Sequence, residues 1–228
     1  RAKLKEVGTT NKTRLSDYES AINENTGAIL RVHPSNYRVV GFTETVPLDE
    51  LVKLARKHNL PVIDDVGSGA LVDFAAYGLD DEPLVCESVQ QGADVVLFSG
   101  DKLVGGPQCG IIVGQDHWIQ KIKKHPMTRA MRVDKMTLAG LAATLRMYRD
   151  PESANRKVPL LAMLSTSEAN LKLRAARLSE QIAAAPCVES AKPVAGSSTL
   201  GGGTLPEQYI ATWCVGIKPA AISVDELS

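Results

Sequence analysis

Short apolar runs and amphipathic stretches alternate along most of this chain. Apolar runs of strand length are bounded by polar or glycine-rich turns, and between them apolar residues recur every three or four positions. The apolar runs predict strands at 28–32, 61–66, 94–98, 110–113, 188–194 and 209–217. The amphipathic stretches predict helices at 16–24, 48–57, 84–91, 118–124, 136–148 and 167–184. This alternation predicts an α/β fold with a mainly parallel sheet.

The pattern also predicts two domains. Residues 1–155 carry the strands of the large sheet, and residues 156–228 carry a linking helix and a smaller α+β domain, whose two strands are joined by a loop at 196–204. The chain begins at Arg1, and its last residues, 224–228, resemble the opening of a helix. We therefore expect a fragment in which both domains are incomplete.

Composition excludes several classes of protein. With 44% hydrophobic residues, 228 residues can build a sizeable core. The 26 basic residues equal the 26 acidic ones, so no overall basic field indicates a nucleic-acid-binding surface. The chain shows neither a signal peptide nor an apolar run of membrane-spanning length, which predicts a cytoplasmic protein without a membrane partner.

Neither the cysteines nor the histidines have the spacing of metal ligands. The four cysteines lie far apart, which is typical of a reducing compartment, and we expect them to pack as small apolar residues. The four histidines are equally scattered, so we expect no metal site.

Polar residues follow three of the predicted strands. Asn36 lies in the turn after the first, Asp64 and Asp65 end the second, and Ser99 and Lys102 follow the third. Ligands of open α/β sheets bind beyond the carboxyl ends of the strands. We expect these side chains to converge on one ligand.

Lys102 and the aspartate pair indicate which ligand. A lysine between an apolar strand and a glycine-rich turn is suited to forming a Schiff base, and a buried carboxylate needs a cationic partner. Pyridoxal phosphate meets both needs, because its aldehyde bonds to the lysine and its pyridinium nitrogen faces the carboxylate. We favour Asp64 as that carboxylate and keep Asp65 as the alternative, since only one of two adjacent strand residues faces the ring. The simpler interpretation is that Lys102 is solvated and that Asp64 and Asp65 cap the turn that follows them.

The other candidates also have two interpretations. Ser99 is either a phosphate ligand or a loop hydroxyl, and Asn36 either reaches the phenolate oxygen of the cofactor or belongs to the turn. Arg129 and Arg132 share a face if they lie on one helical turn, where they form either an oxyanion site or a solvated basic patch. The glycines at 201–203 allow close backbone approach to a substrate, but we favour a flexible surface loop.

At these residues the chain resembles the bacterial selenocysteine synthases, the L-seryl-tRNA(Sec) selenium transferases. The resemblance runs in order over nearly the whole chain and rests on the stretches EVGTTN (6–11), VHPSNY (32–37), IDDVGSGA (63–70), SGDKLVGGPQ (99–108), RAMRVDK (129–135) and GGGTLP (201–206).

The resemblance implies a fold-type-I pyridoxal-phosphate enzyme with Lys102 as the Schiff-base lysine. It also implies a homodimer-based assembly, a decamer in known members, with active sites at subunit interfaces. Seryl-tRNA(Sec) would lose its β-hydroxyl after Lys102 removes the α-proton. Selenium from selenophosphate would then add while Arg129 and Arg132 hold the phosphate of the donor.

Two departures from the wider fold family bear on this interpretation. Asp101 stands where many relatives place a histidine, and we expect it to serve the leaving hydroxyl or to tune Lys102. No arginine follows Arg177, although enzymes that act on free amino acids usually bind the carboxylate with one. An esterified serine needs no such arginine.

Two other functions stay open. Ammonia-lyases that act on phosphorylated amino sugar acids share this scaffold and would use the same lysine and aspartate, with the arginines on the substrate phosphate. A non-enzymatic binding protein predicts that Lys102→Ala changes neither absorbance nor function.

Overall fold

The main sheet has four strands, three of them parallel. The computed structural model describes residues 2–80, 82–220 and 223. The strands are β1 (Ile29–Val32), β2 (Val62–Gly67), β3 (Val95–Ser99) and β4 (Gly110–Gly114), paired in the order β1-β2-β3-β4. β4 alone is antiparallel to its neighbour, β3. The α/β fold class with a mainly parallel sheet is confirmed.

Helices connect and cover these strands. They are α1 (Leu15–Ala21), α2 (Leu48–Lys57), a 3-10 helix (Phe74–Tyr77), α3 (Val85–Gln90), α4 (Asp116–Lys124), α5 (Pro126–Met131), α6 (Lys135–Met147), α7 (Pro151–Lys157), α8 (Pro159–Leu164) and α9 (Glu168–Ala183). The six helices predicted from the sequence lie within a few residues of observed ones. α5, α7 and α8 were not predicted, because each is shorter than two full turns and begins at a proline, which is also a helix breaker inside a longer pattern.

The first hydrophobic core lies between the sheet and α2. Leu48, Leu51, Leu54 and Ala55 place the apolar stripe of α2 against the sheet, and all four are buried. Arg56, in the last turn of α2, binds Asp94 before β3 at 2.8 Å. This packing fixes the sheet on which the candidate site is built.

A second core lies beneath the carboxyl ends of the strands. It joins residues from the segment after β2, the lysine-bearing loop, α7 and α8, and the region after the triglycine at 201–203: Ala70, Phe74, Leu79, Leu103, Ala154, Val158, Leu161 and Leu205. These residues come from both sides of position 155. The domain division at 155/156 stays a prediction.

The smaller sheet is an antiparallel pair, β5 (Val188–Ser198) and β6 (Ile210–Pro219), covered by α9. Trp213 of β6 donates to the Glu168 carboxylate at 3.2 Å, which fastens the sheet to the start of α9. Strand β5 extends to Ser198, so the loop begins at residue 199 and not at 196 as predicted. The helix start expected at 224–228 lies outside the described residues.

Two further predictions concern surface properties. In the described part of the chain, no helix combines the length and the apolar character that crossing a membrane requires. The prediction that the cysteines pack as small apolar residues is wrong for Cys86, Cys187 and Cys214, which are exposed, while Cys109 is half-buried. Their sequence neighbours did not reveal this exposure, because tertiary packing decides it.

Candidate active site

The carboxyl ends of β1, β2 and β3 meet at one edge of the main sheet. After β1, the His33 N–H donates to the Asp65 carbonyl of β2 at 2.8 Å. After β3, the Leu103 N–H donates to the Ser68 carbonyl beyond β2 at 3.2 Å. The loop that carries Lys102 is thereby fixed against the end of the strand that carries the aspartates.

Asp64 is completely buried, and one of its oxygens has no partner. Its Oδ1 accepts from Arg31 Nη1 at 2.9 Å, across the parallel register of β1 and β2. Within the described residues, Oδ2 has no hydrogen-bond partner. An unpaired buried carboxylate oxygen is costly unless a donor or a cation reaches it. A protonated pyridine nitrogen is such a donor, so Asp64 fits the role proposed from the sequence.

Asp65 is placed differently. It points to the opposite side of β2, is half-buried, and accepts from the Gly67 N–H at 3.1 Å through Oδ1. This bond holds the turn after β2, where Gly67 has a positive φ of 69°. Asp65 thus has a local structural role, and the geometry favours Asp64 for the cofactor.

Lys102 is half-buried in a loop whose backbone is held by hydrogen bonds at the lysine and just after it. The Gly105 N–H donates to the Lys102 carbonyl at 3.0 Å, and the Tyr148 hydroxyl donates to the Val104 carbonyl at 2.9 Å. Burial of that hydroxyl raises the pKa of Tyr148 to about 12. The backbone of the loop is therefore held at the lysine and at the residues that follow it. This loop holds Lys102 at the sheet edge where Oδ2 of Asp64 is unpaired, and the two groups together suit pyridoxal phosphate.

Three residues that the sequence reasoning missed complete this edge. Arg31 and His33 lie on the same side of β1 and its extension as Asp64 does on β2, and Glu82, in the segment before α3, approaches His33. His33 Nε2 lies 4.0 Å from Glu82 Oε2. The two-residue alternation of Arg31 and His33 with exposed Leu30 and Val32 was the available signal for the first two.

Two residues of this group, His33 and Glu82, have pKa values displaced from their ordinary ones. Burial, followed by the nearby Arg31 charge, lowers the pKa of His33, so His33 is neutral near neutral pH. Burial raises the pKa of Glu82 from 4.5 to about 7, against the opposing effect of Lys102. Glu82 therefore titrates near neutrality. Displaced pKa values of this kind cluster at functional sites.

Ser99 and Asn36 flank the group. Ser99 is the half-buried last residue of β3, and Asn36 is exposed in the turn after β1. A Cβ added to Gly203 would lie 3.2 Å from the Asn36 Cβ, and Thr204 and Leu205 after it are buried. Residues 201–203 are exposed, in agreement with a surface loop, and only the end of this loop approaches Asn36.

The structure does not bring the remaining candidates together. Asp101 adjoins Lys102, but its side chain is exposed. Arg129 lies in α5, whereas Arg132 is the residue after its last turn, with extended backbone at φ −62° and ψ 140°. The two arginines therefore do not lie on one helical turn, and the condition for a shared helical face is not met. Both arginines are exposed, and neither makes an ion pair within the described residues.

Comparison with known proteins gives one consistent result. The family model described as L-seryl-tRNA selenium transferase (SelA) matches residues 1–228. The L-seryl-tRNA(Sec) selenium transferase of Nitratidesulfovibrio vulgaris is 53% identical over 228 residues, covering 99% of this chain and 48% of that protein. Those of Alkaliphilus oremlandii and Carboxydothermus hydrogenoformans are each 49% identical, with the same coverage of 99% and 48%.

A solved structure supports the fold. The structure of D-glucosaminate-6-phosphate ammonia-lyase superposes with a TM-score of 0.60 at 25% sequence identity, over 96% of this chain and 48% of that one. The chain spans about half the length of the curated relatives it matches. The match along its whole length is decisive. This chain belongs to the L-seryl-tRNA selenium transferase family.

Proposed function

We propose that the protein containing this chain converts seryl-tRNA(Sec) into selenocysteinyl-tRNA(Sec), with pyridoxal phosphate as cofactor and selenophosphate as selenium donor. One observation carries the proposal. The buried Asp64, with an unpaired oxygen, shares a sheet edge with Lys102, in a chain about half identical to relatives named for this reaction.

Each residue at the sheet edge would have its own role in this reaction. Pyridoxal phosphate, when bound, withdraws electrons from the α-carbon of an attached serine, so that the β-hydroxyl can leave. Lys102 would hold the cofactor and then accept the α-proton on Nζ. Asp64 would keep the ring nitrogen protonated, and Arg31 fixes the Asp64 carboxylate through its 2.9 Å bond. Ser99 and Asn36 would bind the phosphate and the phenolate oxygen.

The exposed candidates have supporting roles in this proposal. Arg129 and Arg132 would hold the phosphate of selenophosphate, and Asp101 would serve the leaving hydroxyl. Their exposure leaves these side chains available to groups from outside this chain, and the proposal includes a homodimer-based assembly, a decamer, with sites at subunit interfaces. It also keeps residues 1–155 as the cofactor-binding domain and 156–228 as the start of the smaller one.

The test is the visible spectrum of the full-length, cofactor-loaded protein while seryl-tRNA(Sec) is added without a selenium donor. We expect the absorbance of the bound cofactor to shift and pyruvate to be recovered from the tRNA. Lys102→Ala should abolish both responses, whereas Lys124→Ala, which changes an exposed lysine at the end of α4, should retain them. An unchanged wild-type spectrum would overturn the proposal.

The structural likeness to an ammonia-lyase supports a second candidate. D-glucosaminate-6-phosphate ammonia-lyase is 25% identical over almost the whole chain. A lyase of that kind would use Lys102 and Asp64 in the same way and would place Arg129 and Arg132 on a substrate phosphate. A spectrum that responds to phosphorylated amino sugar acids, but not to seryl-tRNA(Sec), would move the assignment to this reaction.

A further inference from the structure

The turn that begins at Lys102 has two buried carbonyl groups at its centre. The Gly105 N–H donates to the Lys102 carbonyl at 3.0 Å and closes a four-residue turn, whose central residues are Leu103 and Val104. Both central residues are buried. The bond that closes the turn leaves their carbonyls without a donor. Because a buried carbonyl without a donor is costly, a group from outside the turn has to supply one.

The Tyr148 side chain supplies this donor. Its hydroxyl donates to the Val104 carbonyl at 2.9 Å and lies 3.3 Å from the Leu103 carbonyl oxygen. Within the described residues, no other group donates to either carbonyl. Burial raises the pKa of Tyr148 to about 12, so the hydroxyl keeps its proton at neutral and weakly basic pH. Tyr148 is thus a permanent donor to the turn that carries the lysine.

The position of Tyr148 is fixed by its own surroundings. It directly follows the last residue of α6, and its ring packs against both hydrophobic cores. The middle of α6 also lies close to the lysine-bearing loop, since a Cβ added to Gly106 would lie 3.6 Å from both Leu141 Cδ1 and Thr144 Cγ2. The hydroxyl therefore comes from a packed side chain, which can hold the turn in one place.

We propose that Tyr148 is a positioning residue for Lys102, an inference that rests on the function proposed above. By holding the Val104 carbonyl, two residues beyond Lys102, the hydroxyl fixes the backbone from which the lysine side chain extends. The Lys102 amine has to reach first the cofactor and then the α-carbon of the substrate. A misplacement of about 1 Å can cost about 100-fold in rate, so the backbone under this amine needs a fixed position.

Tyr77 provides a matched control. Like Tyr148, it is half-buried, packs against the second core and donates through its hydroxyl, in this case to Asn155 Oδ1 of α7 at 2.6 Å. Tyr77→Phe therefore removes a hydroxyl from the same core without removing a bond to the lysine turn. A difference between Tyr77→Phe and Tyr148→Phe separates the positioning of Lys102 from a general loss of core stability.

The first experiment measures the attachment of pyridoxal phosphate to Lys102, without turnover. The full-length apoprotein is mixed with the cofactor, and absorbance follows the reaction in which the Lys102 amine condenses with the aldehyde and releases one water. In Tyr148→Phe we expect attachment to be about tenfold slower than in the wild type, because the backbone under the amine is no longer fixed. The ratio of the two rates should be equal at pH 6.5 and pH 9, since the Tyr148 hydroxyl is protonated at both. Tyr77→Phe should attach the cofactor at the wild-type rate.

Thermal unfolding of the three apoproteins identifies a purely structural role. Attachment is measured well below the lowest thermal midpoint, so that every variant is folded when it meets the cofactor. Slow attachment in Tyr148→Phe alone supports positioning, even where both variants lower the midpoint equally. Equal attachment rates in the wild type and Tyr148→Phe would overturn the proposal, and so would an equal slowing in Tyr77→Phe and Tyr148→Phe.

The second experiment separates this inference from the proposed function. Pyruvate release from seryl-tRNA(Sec) by the cofactor-loaded protein should fall about tenfold in kcat for Tyr148→Phe, with little change in KM, because positioning affects the chemical steps and not substrate binding. If the wild type attaches the cofactor but releases no pyruvate, the proposed function fails, and the attachment rates still decide the role of Tyr148. A wild type in which the cofactor does not attach to Lys102 would overturn both proposals.

Discussion

Two adjacent aspartates end β2, yet their surroundings give them different chemistry. Asp64 is fully buried beside Arg31 with Oδ2 unpaired, whereas Asp65 uses its side chain to hold the Gly67 N–H. The sequence predicted that only one of them faces the ligand, because side chains alternate along a strand. Which one does so depends on the neighbouring strand, since Arg31 pairs with Asp64 through the register of β1 and β2.

Asparagine substitutions at the two positions test this difference. Asp64→Asn should weaken pyridoxal-phosphate binding by about 10- to 100-fold, because a charge-assisted hydrogen bond contributes about 1.5–3 kcal/mol. Asp65→Asn keeps an oxygen for the Gly67 N–H and should bind within about twofold of wild type. Equilibrium dialysis with absorbance detection measures both. Stronger loss in Asp65→Asn would make Asp65 the partner of the ring nitrogen.

Glu82 makes the stability of the protein depend on pH. Its pKa is about 7 in the folded chain against an ordinary value of 4.5, so the folded state binds the proton more tightly than the unfolded state. Its stabilising contribution is complete below pH 4.5 and is lost as pH rises to about 7. At pH 8 the charged, buried Glu82 therefore destabilises the fold by up to about 3 kcal/mol relative to its protonated form.

Glu82→Gln should remove this dependence. We expect the thermal midpoint of the apoprotein variant to exceed that of the wild type at pH 8 and to approach it at pH 5. Differential scanning calorimetry over this pH range measures the gap, and Glu87→Gln should show no such trend, since Glu87 is exposed. A variant less stable than wild type at every pH would mean that the glutamate is held for its contacts alone.

At the scale of the element, the hydrophobic pattern of the sequence predicts a helix or strand correctly wherever that element is long or strongly periodic. The bounds of α2 were predicted to the residue, because its buried leucines recur at helical spacing between early acids and late bases. α5, α7 and α8 were missed, since short proline-initiated helices carry little periodicity. Glu82 was missed for a different reason. It lies in a loop, where no periodicity marks a buried position, and only the folded structure shows its burial.

The turn after β2 shows how an element positions the lysine loop. Gly69 has a φ of +77°, and a Cβ there would lie 2.7 Å from Phe98 Cδ2 and 2.9 Å from the Ser99 carbonyl oxygen. The turn and the end of β3 therefore pack closely enough that only glycine fits. This contact brings the end of the aspartate strand against the start of the loop that carries Lys102.

Gly69→Ala should therefore both strain and displace this junction. We expect the free energy of unfolding to fall by about 3 kcal/mol, partly because alanine strains the left-handed backbone and partly because its Cβ overpacks the junction. Gly78→Ala is the matched control, because Gly78 has a φ of +76° with nothing within 4 Å of its Cβ position. Gly78→Ala should lower the free energy of unfolding by only about 1 kcal/mol. Chemical denaturation compares the two, and equal losses would show that the junction has room for a side chain.

At the scale of the whole molecule, the region after the triglycine joins the smaller sheet to the candidate site. Leu205 is buried in the second core with a φ of +47°, and Glu207 has a φ of +63°. Non-glycine residues in this conformation persist only where surrounding contacts hold them. Here the contacts include the Gln208 side chain, which donates to the Asp80 carbonyl at 2.6 Å and accepts from the Asp80 N–H at 2.8 Å.

Those two bonds hold the backbone two residues before Glu82, so a change in the distant segment should reach the candidate site. Gln208→Ala removes both and should speed hydrogen exchange in a peptide covering residues 79–83 by about tenfold, as the loss of roughly 1–2 kcal/mol of local stability predicts. Gln120→Ala removes one exposed bond to Asp116 within α4 and should leave that peptide unchanged. Mass spectrometry of the full-length apoprotein measures the exchange. Equal exchange in the wild type and Gln208→Ala would show that the two Gln208 bonds do not stabilise this segment.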